Sequence, residues 1–398
     1  MSVTLPGPTV GVVGGGQLGR MLGEAASPLG VDVVVLDPTP NCPASRVAEQ
    51  IDGELDDPEA VRELAARADV LTYEIETADP ALLREVRAET GVPVHPEPET
   101  LAITGDKLRE KEALASADIP VPAFVPADSA TAAESAVERF DGAMLKARKG
   151  GYDGRGNEPV TDVEAAEHAL TTVGGDAVAE ELLDFERELA AIGVRGADEE
   201  TRVFPVTETI HEEEILRATV SPPRVDEVTQ ERARGVVTDT LAELDGRGVF
   251  GIELFETADG EILVNEIAPR PHNSGHWTIE GAASSQFEQH LRAVLGWPLG
   301  PTERVGPTAS ANVLGDVSAP EPAELHGVDA VLDHPDASLH WYGKREARPL
   351  RKMGHLTVVE RDAAANSDRA EEAAAEADAA LDALDIAESL RDELTFTD

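Results

Sequence analysis

Thr9-Val10-Gly11-Val12-Val13-Gly14-Gly15-Gly16-Gln17-Leu18-Gly19 decides how this chain begins. Thr9–Val13 is an apolar run of strand length, the glycine cluster is a turn, and residues 20–26 continue as a helix. Residues 31–37 form a second apolar run, so strand, helix and strand follow one another as a βαβ unit. A helix over 59–67 and a strand over 70–74 extend the pattern, and the first hundred residues read as a doubly wound α/β domain. Gly14, Gly16 and Gly19 match G-x-G-x-x-G, and Asp37 ends the next strand about 20 residues on, completing a dinucleotide fingerprint. Taken alone this points to NAD. The N–H groups at a helix start hold any phosphate, however, and glycines also serve tight strand-helix packing with no ligand at all.

Beyond this opening, composition sets limits. At 398 residues the chain is long enough for two or three compact units, and 41% hydrophobic content supplies their cores. A net charge of −45 argues against nucleic acid and anionic membranes as partners, since phosphate neutralisation needs clustered Lys and Arg. Acid excess with only six lysines resembles proteins of salt-loving cells, where a Debye length of roughly 3 Å at 1 M salt screens self-repulsion. The single cysteine, Cys42, excludes an intramolecular disulfide and a Cys-cluster zinc site. No basic, then apolar, leader opens the chain, and no apolar run approaches the roughly 20 residues of a spanning helix. The expectation is a soluble protein of the cytoplasm.

The Pro-rich stretch 92–98 closes the first unit, giving boundaries of 1–100, 101–300 and 301–398. In the second unit, residues 249–256, a turn containing Asp259-Gly260, and residues 262–268 read as a hairpin with a four-residue loop. That register sets Glu256 against Glu261 and Glu253 against Val264, with Glu266 two residues further along the same face. Such a diagonal pair has Cα atoms roughly 7–8 Å apart. Both carboxylates could then reach one Mg²⁺, whose oxygen ligands sit at about 2.1 Å. A merely solvated acidic hairpin would not explain Glu266 inside an apolar run. The loop from Lys146 to Asn157 gathers cations and glycines suited to polyphosphate, without P-loop spacing, and the strand before it should hold Lys146 inward. The segment from Glu180 to Glu188 offers carboxylates to ribose hydroxyls and, near Leu183, backbone groups to adenine. The tail is rich in Ala, Asp and Glu, yet Ala374, Ala377, Leu381 and Leu384 share a helical face, with Asp368 and Glu371 as a cap, predicting a docked acidic helix.

Taken in order, the first glycine turn, the Gly-Gly-Tyr-Asp-Gly-Arg-Gly loop, Asn265-Glu266-Ile267-Ala268-Pro269-Arg270-Pro271-His272-Asn273-Ser274-Gly275-His276-Trp277-Thr278 and His340-Trp341-Tyr342-Gly343-Lys344 closely resemble the 5-(carboxyamino)imidazole ribonucleotide synthetase family. The match runs over nearly the whole chain. It implies a Rossmann-like N-domain, a central ATP-grasp domain with a lid over about 121–182 and a small C-terminal domain, as a homodimer. The implied reaction is ATP- and bicarbonate-dependent carboxylation of aminoimidazole ribonucleotide through carboxyphosphate, with Mg²⁺, in de novo purine synthesis. By this resemblance Lys107 and Lys146 meet the ATP phosphates, with Gly151, Tyr152, Asp153, Gly154, Arg155, Gly156 and Asn157 as the covering loop. Glu180, Glu181 and Leu183 hold adenine, Glu188 the ribose, and His211 and Asn265 lie with the nucleotide. Glu253 and Glu266 ligate the metal. Gln17, Leu18, Glu74, Tyr152, Asp153, Arg270, His272, Asn273, Lys344 and Arg351 hold the ribonucleotide and bicarbonate, the last two at its phosphate. Asp153, Arg155, Arg270 and His272 stand at the reacting groups, with Asp153 and His272 both open as acceptor of the amine proton. Other readings are a different ATP-grasp ligase, such as a formate-using glycinamide ribonucleotide transformylase, an NAD-dependent oxidoreductase, or a non-catalytic binding protein.

Overall fold

The computed structural model describes residues 3–150, 156–361 and 369–396. The N-terminal sheet is parallel, with strands β1 (Thr9–Val13), β2 (Asp32–Asp37), β3 (Glu49–Asp52) and β4 (Val70–Tyr73) in the order β3-β2-β1-β4. The short, polar β3 carries no apolar signal in the sequence, as expected of an edge strand. The helix after the glycine turn spans Gln17–Ala26, three residues earlier than the sequence suggested, because extended Gly16 serves as its N-cap. Val10, Val12, Val33 and Val35 face Phe287 and Leu291 of the later helix Gln286–Val294, so the first domain is packed directly onto the second.

A second, antiparallel sheet holds β5 (Phe124–Ala127), β6 (Ala143–Ala147), β7 (Asn157–Val160) and β8 (Ala177–Glu181), in the order β5-β8-β6-β7. The cationic loop joins β6 to β7, and its residues 151–155 lie outside the described residues.

Among the described residues, the remaining strands build one nine-stranded sheet. Its members are β9 (Phe185–Arg195), β10 (Thr201–Val203), β11 (Thr207–Glu212), β12 (Ile215–Ser221), β13 (Gly248–Thr257), β14 (Ile262–Ala268), β15 (Thr308–Leu314), β17 (Ala337–Trp341) and β19 (Lys352–Val359). The order is β14-β13-β9-β11-β12-β15-β19-β17, with β10 on β9, while β16 (Glu321–Pro322) and β18 (Glu346–Ala347) form a separate ribbon. The C-terminal strands thus continue the central sheet through β12 and β15, which pair Ala218 with Ala311. Helix Arg369–Asp392 docks on them. It does so through Ala380, Ala383, Leu384 and Ala387, a face rotated from the expected one; alanine spread around the helix leaves its phase open, and Leu384 sets it. The proposed cap residue Asp368 lies outside the described residues. No helix among the described residues is long and apolar enough to cross a membrane.

The hairpin forms where expected, but its register corrects the prediction. Glu253 pairs directly with Glu266, Leu254 with Val264, and Glu256 with Ile262 rather than Glu261. The cause is a β-bulge that leaves Asn265 as an extra residue, so the two carboxylates stand side by side and not diagonally.

Candidate active site

β13 and β14 present the carboxylate pair at the end of the large sheet, and cations converge on it from two directions. Lys107 Nζ, from the first turn of helix Lys107–Ser116, lies 2.5 Å from Glu266 Oε2. Lys146, held inward by β6, reaches Asn265 Oδ1 at 3.0 Å and Glu180 Oε2 at 2.8 Å. Lys107 is the strongest influence on Glu266 and holds its carboxyl down at about 2. Glu253 is pushed up to about 7 by burial and then by Glu266. Burial works against ionised Glu180, yet Lys111 and Lys146 prevail and hold it at about 2. Two adjacent half-buried carboxylates, one of them titrating near neutrality, leave an anionic point that a divalent cation would neutralise. Among the described residues no group of three or more His, Cys, Asp or Glu forms a metal cage. A carboxylate pair fits Mg²⁺ nonetheless, because that ion takes one or two protein carboxylates and completes its shell with waters and phosphate oxygens.

Next to the pair, Glu188 on β9 and His211 on β11 sit 3.0 Å apart. Burial opposes charge on His211, but Glu188 raises its pKa above the ordinary value. The chain from Glu181 to Phe185 crosses from the small sheet to the large one, with Glu181 Oε1 accepting from Ala123 N at 2.8 Å, Leu183 half-buried, and exposed Phe185 stacked on Phe255 at 4.7 Å. The Glu180 carboxylate itself points between Lys146 and Lys111 and is engaged there. Gly156 accepts from Ala147 N at 2.7 Å, and Asn157 pairs with Lys146, so β7 starts beside that lysine. Gly151, Tyr152, Asp153, Gly154 and Arg155 lie outside the described residues.

A second group faces the pair. His272 Nε2 is 3.7 Å from Glu253 Oε1, its Nδ1 meets Ser274 Oγ at 2.9 Å, and Gln286 clamps its backbone N and O at 2.8 and 2.7 Å. Burial, reinforced by Arg270, lowers its pKa to about 3, so the imidazole is neutral at pH 7. Gly251 of β13 lies beneath it, where a Cβ would come within 2.4 Å of His272 Cβ. Arg270 is partly buried and paired with Glu76. Asn273 Nδ2 and Oδ1 are buried without hydrogen-bond partners. Lys344 Nζ donates to Lys352 O at 2.6 Å, and Arg351 Nη1 to Glu346 O at 2.9 Å.

The glycine turn explains itself differently from its consensus. Gly16 N and Gly19 N donate to the Glu74 carboxylate at 2.5 and 3.2 Å, and Gly15 N donates to Asp37 Oδ2 at 2.9 Å. A Cβ on Gly14 would lie 2.7 Å from Glu74 Cγ, so glycine admits this side chain where a dinucleotide binder admits pyrophosphate. The N–H groups of all three fingerprint glycines and of Gly15 are therefore engaged within the protein. Gln17 opens the helix half-buried, while Leu18 is a core side chain that could offer a ligand only its backbone. Sequence reasoning missed Lys111, Glu76 and Lys352, the last close enough to influence Glu253, His211 and His272. The scarcity of lysine was the available signal, since a side chain retained against that bias has local work to do.

Three family descriptions match consecutive parts of the chain: a ribonucleotide synthetase preATP-grasp domain at residues 8–105, an ATP-grasp domain at 112–287, and a phosphoribosylaminoimidazole carboxylase C-terminal domain at 308–369. The chain is 40% identical over 359 residues to the N5-carboxyaminoimidazole ribonucleotide synthase of Brucella melitensis, covering 89% of this chain and 97% of that one. The crystal structure of the synthetase from Thermotoga maritima is similar at a TM-score of 0.84 and 39% identity, covering 98% of this chain and 99% of the other. The synthase from Aspergillus clavatus, solved with ADP and 5-aminoimidazole ribonucleotide, is similar at a TM-score of 0.82 and 34% identity, covering 95% of this chain and 98% of that one. With these similarities along its whole length and an ATP-grasp domain at its centre, the chain belongs to the N5-carboxyaminoimidazole ribonucleotide synthase family.

Proposed function

We propose that this protein carboxylates the exocyclic amine of 5-aminoimidazole ribonucleotide, consuming ATP and bicarbonate and releasing ADP and phosphate, as a step of purine biosynthesis. A bicarbonate oxygen attacks the γ-phosphorus and ADP departs. The amine then bonds to the carboxyl carbon of carboxyphosphate, or of the CO₂ it releases, as phosphate leaves and the amine loses a proton. No protein nucleophile is needed, because positioning and charge neutralisation carry the chemistry. Lys107 and Lys146 offset the negative charge that accumulates as one anion attacks another. Glu253 and Glu266 would hold Mg²⁺, which supplies electrostatic stabilisation to the transferring phosphoryl group. His272, fixed by Ser274 and Gln286, and Asp153 are the two candidates for acceptor of the amine proton. Arg270 orients anionic substrate once it leaves Glu76, and Lys344 and Arg351 take the ribonucleotide phosphate. The family supports a cytoplasmic homodimer, and the acidic surface supports a requirement for high salt.

The observation that carries this reading is the approach of the two groups: His272 Nε2 lies 3.7 Å from Glu253 Oε1, so the group assigned to the ribonucleotide adjoins the pair assigned to the metal. The test is ADP release in molar KCl with Mg-ATP and bicarbonate, with and without aminoimidazole ribonucleotide, and with formate plus glycinamide ribonucleotide as control. Stimulation by aminoimidazole ribonucleotide that depends on bicarbonate and is lost in Glu266→Gln is expected. Turnover with the control pair alone would assign a different ligase.

A further inference from the structure

The carboxylate pair depends on a bulge in an edge strand, and two consecutive residues of helix Lys107–Ser116 hold that bulge from outside the sheet. β14 is terminal in the strand order, so its outward backbone groups have no strand to pair with. Val264 N donates to Pro120 O at 2.8 Å. The carbonyls of Val264 and Asn265, in the two peptides that flank the extra residue Asn265, both accept from Lys111 Nζ, at 3.0 and 2.7 Å. Ile267 N donates to Glu110 Oε2 at 3.1 Å. The remaining donor of Lys111 faces Glu180 Oε1 at 3.5 Å. Lys111 is 1% exposed and Glu110 2% exposed, so neither reaches a ligand in the cleft. In an unbulged strand successive carbonyls point to opposite sides, whereas here two consecutive carbonyls turn to one ammonium.

We propose that Lys111 and Glu110 are positioning residues for metal–nucleotide binding, clamping residues 264–267 so that Glu266 stands directly opposite Glu253. This rests on the reading of Glu253 and Glu266 as the metal pair. Without the clamp the extra residue can move along the strand, and Glu266 returns to a diagonal relation in which the two Cα atoms are roughly 7–8 Å apart. Partners that orient metal ligands from behind typically contribute 10- to 100-fold in metal affinity.

The experiment titrates the full chain in molar KCl with Mn²⁺ and ADP, following free Mn²⁺ by electron paramagnetic resonance, with metal-free ADP binding and thermal unfolding measured alongside. Lys111→Met and Glu110→Leu should weaken Mn²⁺–ADP binding by about 10- to 100-fold while leaving metal-free ADP binding unchanged. Glu110→Gln keeps an oxygen for Ile267 N and should bind as the parent does. Glu266→Gln is the reference for loss of a ligand. If Glu266→Gln loses Mn²⁺–ADP but folded Lys111→Met and Glu110→Leu retain it, the clamp is overturned. Equal weakening with and without metal would also overturn it, assigning both residues to the nucleotide pocket. Parent-like binding in Glu266→Gln would instead remove the metal assignment, and the clamp with it. Should Lys111→Met fail to fold, the contrast between Glu110→Leu and Glu110→Gln decides.

Discussion

Glu74 shows how a single carboxylate can occupy the place of a ligand. Burial pushes it up to about 7, against the backbone N–H groups of Gly16 and Gly19 and the charge of Arg270. Between its ordinary value of 4.5 and about 7, the folded chain holds a proton that the unfolded chain has released. Its contribution to stability is therefore full below pH 4.5 and lost as pH rises through about 7, a difference on the order of 3 kcal/mol. Glu74→Gln keeps one acceptor oxygen, sets its amide nitrogen against the other of the two N–H groups, and removes the titration. Urea unfolding at fixed high salt should show the variant gaining stability relative to the parent between pH 5 and pH 8. Parallel pH profiles would show that Glu74 is already ionised throughout. Much of the site was legible at this scale. Lys107, Lys146, Glu253, Glu266 and His272 are brought together, because buried charge in an apolar run needs a partner. Lys111 was passed over because its partners are backbone carbonyls distant in sequence, which no local pattern announces.

Among the elements, the hairpin was readable and its register was not. Ile262, Val264 and Ile267 enter the same core, a spacing of two and then three. That broken alternation is the trace of the bulge, visible only once the core is known. β1 was read to the residue because both its ends are marked, by apolar onset and by glycine. β3 was missed because a polar edge strand looks like loop. The central strand β13 carries a further constraint in Gly251, which lets the His272 loop lie directly on the sheet. Gly251→Ala drives its Cβ into His272 and should cost about 1–3 kcal/mol by overpacking. It should also displace the imidazole, lowering kcat/KM at least about tenfold, with the larger share in kcat. ATP binding, measured by calorimetry, should survive. A variant of unchanged kcat would show that His272 is not needed where it stands.

For the whole molecule, a net charge of −45 is opposed by counterions, not by the fold. The thermal midpoint should climb with KCl through the molar range, because screening shortens to roughly 3 Å at 1 M and weakens repulsion over the entire surface. A midpoint independent of salt would mean that the acidic residues already balance through local pairs such as Arg62 with Glu85 and Glu89. The sequence showed an α/β molecule with a distinct C-terminal stretch, but not that β15 adds to β12, because strand pairing across nearly a hundred residues leaves no periodic signature. That junction makes the chain divisible in an unusual way. A cut between residues 296 and 307 would separate two polypeptides that each carry one half of the same ladder, with the terminal helix laid across the seam. Produced apart, the two halves would leave open the core that Ala218 and Val220 share with Ala309, Ala311 and Leu384, and mixed together they would have one register to find. A split enzyme whose activity reports the meeting of its halves is therefore already drawn in the strand order.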